Sequence, residues 1–246
     1  MSQYNERLFA PGIRGRYHSA RYHWVSAEIS KLGLKSPRIV ELGCYDAKTL
    51  EYLAERPSYY LGLDANWEGG VDIGRKKWAE RSEIELIECT RPDEIPERDR
   101  FDIGICLETL EHIPDQMLLE YLKALQGMVK GKLFITVPIE RGFVFLFKAL
   151  AKRLARATGK GRYSATDIWY LTIGRTDKVV RDNHRGFDDR KLISILEDYF
   201  TIDKVCGVFP GIPIAPLNLT VGIVVSPKTV AVPQPTTSVI ASRAEG

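Results

Sequence analysis

From residue 38 onward the chain alternates short apolar runs with longer amphipathic stretches, and this alternation limits its fold more than any other feature. Short runs rich in β-branched residues are typical of buried strands, and the stretches between them are typical of helices that cover a parallel sheet. The run Phe101–Cys106 is apolar at nearly every position, as expected of a central strand. The pattern predicts seven strands, at Arg38–Leu42, Tyr59–Leu63, Ile84–Glu88, Phe101–Cys106, Lys132–Val137, Thr201–Val208 and Leu219–Val225.

Helices are predicted between these strands, so the expected fold class is α/β with a doubly wound sheet. Asp188 and Asp189 open the last of them, where carboxylates suit the free N–H groups of a first helical turn. A further helix precedes the first strand and stops near Gly33, a residue that commonly ends helices. The four predicted helices are His18–Leu32, Lys48–Glu55, Gln116–Val129 and Asp188–Tyr199.

Two segments do not follow the alternation. Residues 141–185 separate the fifth and sixth strands by far more than the ~2–6 residues of an ordinary connection. We expect this segment, called the lid below, to be a helical insertion. Residues 227–246 carry Pro, Thr and Ser without apolar periodicity, and we expect a disordered tail there. Residues 1–35 then form an N-terminal helical segment and residues 36–226 the main domain.

Composition excludes several classes of protein. The 4 cysteines lie far apart, with no CxxC pair and no histidine at ligand spacing, so neither a metal site nor a disulfide framework is predicted. No apolar run approaches the ~20 residues that span a bilayer, and the first residues do not resemble a secretion signal, so we expect a cytoplasmic protein. A net charge of +3 over 246 residues does not favour a nucleic-acid partner.

The first strand runs into the loop that follows Glu41, and this loop favours a nucleoside ligand. Gly43 permits close approach of a ligand to the backbone, and Asp64 follows 21 residues later, a spacing typical of an acid that binds ribose hydroxyls. Tyr45 stands where a dinucleotide fingerprint needs glycine, and Ala47 further on in the loop is not glycine either, so a pyrophosphate is disfavoured. Glu41 suits a ligand with a cationic amino-acid end. The alternative is that Gly43 is an ordinary turn glycine and Asp64 a helix cap.

Four ordered motifs are similar to those of class I S-adenosylmethionine-dependent methyltransferases. They are Glu41-Leu42-Gly43-Cys44-x-x-Ala47, then Leu63-Asp64, then the segment from Phe101 to Pro114, which contains Leu110-Glu111-His112-Ile113, and then Leu133 to Pro138. Arg21-Tyr22 resembles a pair in the family's N-terminal helix, and His184-x-x-Phe187 resembles a motif before its last helix. The resemblance implies a Rossmann-like sheet, the enzymatic activity of a methyltransferase, and S-adenosylmethionine as the cofactor.

The same resemblance assigns residues to the cofactor. Glu41 and Gly43 would hold its methionine end, and Asp64 would bind the ribose diol. Leu107 to His112 would form the wall between cofactor and acceptor. The chain departs from the family pattern at Tyr45 and Ala47, where glycine is commoner, and at Glu88-Cys89, where an aspartate is usual. The full predicted cofactor set is Glu41, Gly43, Cys44, Tyr45, Asp64, Ala65, Cys89, Thr90, Leu107 and Glu108.

Two histidines are candidates for a catalytic role. Methyl transfer from a sulfonium is mostly a matter of positioning, but a hydroxyl acceptor benefits from a general base, and histidine is the natural type. His112 and His184 fall at the expected mouth of the sheet. Either could instead be structural: His112 as support beneath the cofactor, and His184 as a loop residue at the surface.

The lid combines aromatic and basic residues. Phe143, Leu146, Phe147, Leu150 and Leu154 recur at helical spacing, and the segment from Arg141 to Arg162 carries seven basic residues without an acid. A basic amphipathic helix at 143–156 can bind an anionic membrane surface or an anionic acceptor. Alternatively, its apolar face packs on the core. Arg141, Tyr163, Trp169 and Tyr170 are the predicted acceptor-binding residues of the lid.

These observations lead to one preferred function. We expect O-methylation of a sugar hydroxyl in a glycan or glycolipid, or of another small molecule, by an enzyme that is cytoplasmic or peripheral at the inner membrane face. An anionic or lipid-linked acceptor is favoured by the basic lid. The alternatives are N- or C-methylation of a small metabolite or quinone, and a non-catalytic protein that binds S-adenosylmethionine or docks at a membrane.

Overall fold

A single seven-stranded sheet organises the chain in a computed structural model that describes residues 9, 12–97, 99–155, 163–182, 184–212 and 214–228. The strand order is β3-β2-β1-β4-β5-β7-β6, with β7 antiparallel to both of its neighbours. The predicted α/β class and all seven predicted strands are confirmed. The strands are β1 Arg38–Leu42, β2 Tyr59–Asp64, β3 Ile84–Glu88, β4 Phe101–Leu107, β5 Val129–Pro138, β6 Phe200–Gly207 and β7 Thr220–Pro227.

Helices cover both faces of this sheet. α1 packs on one face, where Val25 and Ile29 join a core cluster with Ile39 and Phe134. On the other face, Leu122 of α3 and Leu196 of α6 join a second cluster with Ile135. The α-helices are α1 Ile13–Ser30, α2 Gly70–Lys77, α3 Asp115–Met128, α4 Gly142–Ala155, α5 Ala165–Thr172 and α6 Asp189–Tyr199.

Two helical predictions are wrong in detail. The helix expected at Lys48–Glu55 is only a 3-10 turn, Lys48–Glu51. Pro57 disfavours helical backbone in the residue before it, so too few residues remain for a stable α-helix. Helix α2 was not predicted, because its glycines hide the helical pattern. Gly74 is needed there, since a Cβ would lie 2.5 Å from the Leu86 side chain.

The lid contains α4 and α5, in agreement with the predicted insertion between β5 and β6. Its buried anchor is Phe145, which is 1% exposed and packs with Leu171 and Val179. Three members of the apolar stripe predicted for α4 face solvent, since Phe143 is 74%, Phe147 71% and Leu150 46% exposed. Leu146 is half-buried. The alternative, that the apolar face packs on the core, is therefore wrong for these three exposed residues. Side chains from residue 151 to residue 162 and the tail from residue 229 lie outside the described residues.

Two of the seven basic residues between Arg141 and Arg162 have described side chains, and both are paired. Arg141 binds the two carboxylate oxygens of Asp189 at 2.7 and 2.9 Å, and Lys148 binds Glu140. Both charges are thus neutralised by acids that lie outside the stretch from Arg141 to Arg162. Among the described residues, no helix is both long enough and apolar enough to cross a bilayer.

Candidate active site

A cavity of about 620 Å³ opens at the carboxyl ends of the central parallel strands. The order of the strands reverses between β1 and β4, and crevices at such points are the usual ligand sites of doubly wound sheets. Its wall is built from the loops after β1, β2, β3 and β4, from helices α1 and α3 and from the carboxyl-terminal end of the lid. The lining residues are His18, Arg21, Tyr22, Glu41, Leu42, Gly43, Tyr45, Asp64, Ala65, Trp67, Glu68, Cys89, Thr90, Leu107, Glu108, Thr109, His112, Ile113, Pro114, Met117, Tyr121 and His184.

The loop after β1 has a left-handed backbone at three positions. Gly43 has φ +78°, and a Cβ there would lie 2.0 Å from Thr109 Oγ1. Tyr45 and Ala47 have φ of 51° and 56°, a conformation that costs an L-residue roughly 1–2 kcal/mol. These are the positions where the family commonly has glycine, so the loop keeps a glycine-type backbone without the glycines.

Asp64 ends β2 and holds this loop in place. Its Oδ2 accepts the backbone N–H of Tyr45 at 3.0 Å, and its Oδ1 accepts that of Asn66 at 2.8 Å. The carboxylate lies on the cavity wall with Ala65 beside it. Each oxygen retains a second lone pair for a ligand hydroxyl.

Glu41 lies at the base of the cavity and is bonded from the protein side. Thr49 Oγ1 donates to one carboxylate oxygen at 2.7 Å and the Tyr60 hydroxyl donates to the other at 2.5 Å. Burial outweighs both hydrogen bonds and raises the pKa of Glu41 to about 7. A cationic ligand group nearby would favour the ionised form.

On the β3 side of the sheet, the loop after β3 contributes Cys89 and Thr90 to the cavity wall. Thr90 N–H donates to Glu94 at 2.7 Å, which fixes the loop. Glu88, which stands where the family usually has aspartate, accepts the Asn66 side-chain amide at 3.2 Å. Cys44 is the one predicted cofactor residue that does not line the cavity, because its side chain lies in the core against Gly62.

Helix α1 closes one side of the cavity through Arg21. Its guanidinium donates to Glu108 at 2.5 Å, and Glu108 also accepts the Thr220 hydroxyl at 3.3 Å. Burial alone would raise the pKa of Glu108, but the Arg21 charge and nearby histidines lower it overall. Glu108 itself adopts φ 51°, so the end of β4 is a second left-handed turn at the cavity.

His112 and His184 line one end of the cavity, and the buried Glu111 lies beside them. Glu111 Oε1 lies 3.7 Å from His184 Nδ1 and 3.9 Å from His112 Nε2, and the two imidazole rings are 4.5 Å apart at 76°. Burial raises the pKa of Glu111 well above its usual range. Burial, and then the neighbouring His112, lower the pKa of His184 to about 4.

The four lid residues predicted to bind the acceptor lie elsewhere. Arg141 pairs with Asp189, and the Tyr163 hydroxyl donates to Glu140 at 3.1 Å. Trp169 is 62% exposed, and Tyr170 packs against the small cluster around Phe145. None of the four is among the described residues that line the cavity.

A family model described as a methyltransferase domain matches residues 17–191, which is most of the chain. The chain belongs to this family. A methyltransferase-domain structure from Clostridium acetobutylicum, described as S-adenosylmethionine-dependent, superimposes with a TM-score of 0.61 over 92% of this chain and 96% of that one, at 12% identity. The N-methyltransferase NodS from Bradyrhizobium japonicum, in complex with S-adenosyl-L-homocysteine, gives 0.54 over 93% and 98%, at 14% identity.

One curated relative is the ubiquinone biosynthesis O-methyltransferase of Acinetobacter baumannii (strain ACICU). It is 27% identical over 150 residues, which are 58% of this chain and 61% of the relative. The chain thus spans about three fifths of the length of the curated relatives it matches first. The structural likenesses, at 12% and 14% identity, concern the methyltransferase fold.

Sequence reasoning about this methyltransferase domain missed part of the cavity wall. The contributions of His18, Tyr22 and Trp67 were not predicted, although the Arg21-Tyr22 pair had been noted as a motif. Helix α1 lies far from the loops in sequence, and only the fold brings it over them. Glu111 belongs to one of the predicted motifs, but its approach to His184 depends on the path of the chain at the end of the lid.

Proposed function

We propose that this chain transfers the methyl group of S-adenosylmethionine to a hydroxyl oxygen of a small molecule. One observation carries the proposal: a single cavity joins the loops around Gly43 and Asp64 to the imidazoles of His112 and His184. The first end has the features expected for a nucleoside with an amino-acid tail. The other end of the cavity offers the imidazole nitrogens of His112 and His184.

The cofactor half follows from the loops. Gly43 lets the methionine part approach the backbone, and Glu41 beneath it favours the ammonium group. Asp64 accepts the ribose hydroxyls, while Ala65, Cys89 and Thr90 border the adenine. Tyr45, Leu107 and Glu108 complete the wall on the sulfur side. The wide cavity also leaves room for an acceptor in front of Leu107.

In the reaction, the acceptor oxygen attacks the methyl carbon. The new carbon–oxygen bond forms as the carbon–sulfur bond breaks, and S-adenosylhomocysteine leaves as a neutral thioether. The hydroxyl proton must go to a base, and the imidazoles of His112 and His184 are the nearest candidates. Most of the rate enhancement comes from holding oxygen, carbon and sulfur in line.

We propose that the acceptor is a molecule that carries a hydroxyl group and has an apolar part. Ile113, Pro114 and Met117 line the cavity beside the histidines and offer no charge. The relatives named as O-methyltransferases support oxygen over nitrogen or carbon as the methylated atom. A sugar hydroxyl of a glycolipid and a ring hydroxyl both satisfy this description, and N- or C-methylation is the alternative.

The exposed stripe of α4 supports a second proposal, that the lid contacts the surface of an anionic membrane. Phe143, Phe147 and Leu150 are all exposed along one side of this helix. In sequence they run into a basic stretch that continues to Arg162. An apolar stripe beside basic residues is typical of helices that lie in the headgroup region, and such contact would suit a lipid-linked acceptor.

The methyl-transfer proposal is tested with purified protein, labelled S-adenosylmethionine and a panel of phenols, sugars, glycolipids and amines. We expect label in hydroxyl-bearing acceptors, and a large loss of turnover in His184→Ala with S-adenosylhomocysteine affinity unchanged. His23→Ala is the matched control, since His23 is exposed on α1 and outside the cavity. Label found only in amines, or unchanged turnover in His184→Ala, would contradict the proposal.

The membrane proposal is tested by co-sedimentation with anionic and neutral vesicles. We expect the double variant Phe143→Ser/Phe147→Ser to lose binding to anionic vesicles. The matched control is Ile214→Ser/Leu217→Ser, which removes two exposed apolar side chains near β7. Equal sedimentation of all three proteins, or equal binding to neutral vesicles, would refute the membrane contact.

A further inference from the structure

Methyl transfer from a sulfonium does not by itself require the buried carboxyl group of Glu111. The cofactor is already activated, and one imidazole would suffice as a base. Yet the structure gathers Glu111, His112 and His184 so that one ligand atom from each lies within 4.8 Å of the others. The arrangement therefore calls for a role beyond that of a base.

Glu111 lacks the partners that buried carboxylates normally have. It is 1% exposed, and within the described residues neither of its side-chain oxygens accepts a hydrogen bond. His184 Nδ1, 3.7 Å away, is likewise buried and has no hydrogen-bond partner among those residues. Buried polar groups are nearly always hydrogen-bonded or bound to an ion. A carboxyl group and a ring nitrogen without hydrogen-bond partners, beside a second imidazole, have the chemistry of a cation site.

We propose that Glu111, His112 and His184 bind a divalent transition-series cation such as Zn²⁺, Mn²⁺ or Co²⁺ at the acceptor end of the cavity. Two imidazoles and one carboxylate are a donor set that these metals accept and that leaves positions open for other ligands. Calcium and magnesium prefer oxygen donors and fit this set less well. The predicted absence of a metal site rested on spacing along the chain, and 72 residues separate His112 from His184.

The surrounding backbone holds the three ligands in position. Arg181 donates to the carbonyl oxygens of Glu111 and Ile113 at 3.4 and 3.3 Å, which fixes the turn that carries two of the ligands. The segment before His184 is thereby attached to the end of β4. Arg181 therefore connects the two segments that carry the ligands before any ion binds.

At a cation in this site, the hydroxyl of the acceptor takes one of the open coordination positions. A metal ion lowers the pKa of a bound hydroxyl and holds its oxygen in place. The proton then leaves to solvent, and the bound oxygen attacks the methyl carbon as the carbon–sulfur bond breaks. In this form of the mechanism the two imidazoles act as ligands and not as the base. This catalytic part rests on the proposed function, whereas the binding of the cation does not.

The test uses the full chain without cofactor or acceptor. Chelator-treated protein is titrated with Co²⁺, which reports its ligands through visible absorption, and binding is repeated with Zn²⁺ by calorimetry. We expect one Co²⁺ per chain. We expect Glu111→Gln and His184→Ala to weaken binding by more than the roughly 10–100-fold that loss of an outer-shell partner causes. His23→Ala should bind as the wild type does.

A second measurement separates the loss of a ligand from the loss of the fold. Glu111→Gln replaces a buried carboxyl group whose oxygens accept no hydrogen bond among the described residues, so its thermal stability without metal should equal or exceed that of the wild type. Co²⁺ should raise the melting temperature of the wild type and not that of this variant. Absence of Co²⁺ binding by folded wild type, or equal binding by Glu111→Gln, would overturn the proposal.

The same series distinguishes the two proposals. If S-adenosylhomocysteine binds and methyl transfer occurs equally with chelator and with metal, the cation site has no part in catalysis while the proposed function stands. If the cation binds to the three ligands but no acceptor is methylated, the cation site stands and the proposed function fails.

Discussion

At the scale of single residues, the cofactor loop depends on backbone conformation more than on residue type. Tyr45 and Ala47 differ from the family pattern, yet both adopt the left-handed φ that glycine would supply. The motif could therefore be recognised from Gly43 and Asp64, whereas the conformation of the two departing residues could not. Gly70 packs directly against the Tyr45 ring and leaves room for it.

Gly43→Ala should abolish cofactor binding and destabilise the fold. The new Cβ would lie 2.0 Å from Thr109 Oγ1, and the residue would retain φ +78°. The backbone cost alone is roughly 1–2 kcal/mol, and the clash adds to it. Gly33→Ala is the matched control, since Gly33 has φ +62° with nothing within 4 Å of a Cβ. Urea unfolding and S-adenosylhomocysteine titration measure both effects, and equal behaviour of the two variants would contradict the close approach.

Glu41 should make the ligand-free protein less stable as pH rises. Its pKa is about 7 in the fold because burial favours the neutral form, against a usual 4.5. The folded state thus holds a proton that the unfolded state has lost between pH 4.5 and 7, and stability falls across that window. Glu41→Gln should remove this component, which is ~3 kcal/mol at most. Unfolding curves at pH 5, 6, 7 and 8 for both proteins measure the difference, and parallel pH profiles would contradict the shift.

At the scale of elements, the amino end of α6 connects the lid to the core. Asp188 caps the helix by accepting Arg190 N–H at 3.0 Å and also accepts the Thr176 hydroxyl at 2.7 Å. Asp189 binds Arg141 at the start of the lid. The two adjacent aspartates thus attach both ends of the insertion. Sequence predicted the cap but not the partners, because these lie in a segment without strand or helix periodicity.

Asp188→Ala should destabilise the protein by about 2–4 kcal/mol, since a helix cap is lost and the Thr176 hydroxyl loses its partner. Despite burial, hydrogen bonds from Arg190 and Thr176 lower the pKa of Asp188 to about 2. The stabilisation is present above pH 3.8 and is lost as pH falls toward 2. Asp198→Ala is the control, because Asp198 is exposed near the other end of α6. Similar unfolding midpoints for the two variants would refute the role of the cap.

Elements were predicted best where hydrophobic period and length agree. The strands are short, β-branched and buried, so their positions follow from sequence with small errors at the ends. Helix α2 was not predicted because glycines stand at its start and within it. Gly70 and Gly74 permit close packing against Tyr45 and Leu86, and Gly69 has a left-handed backbone with φ +71°. The period of α4 predicted an apolar face, but period alone does not say whether that face meets the core or solvent.

At the scale of the whole molecule, the cofactor end of the site can be predicted from the sequence, whereas the acceptor end cannot. The cofactor loops follow successive strands, so motif spacing along the chain places them together. The acceptor end needs α1, the turn after β4 and the end of the lid that carries His184, which meet only in the folded chain. The contact of Glu111 with His184 is of this second kind, as is that of Arg21 with Glu108.

The most direct test of the central claim is calorimetric titration of the purified chain with S-adenosylhomocysteine, for the wild type and for Asp64→Ala. The cavity, its left-handed loop and the carboxylate of Asp64 predict saturable binding at one site per chain. They also predict a loss of at least tenfold in affinity for Asp64→Ala, or about 1.4 kcal/mol. A folded wild-type chain that shows no binding in the low millimolar range would contradict the account.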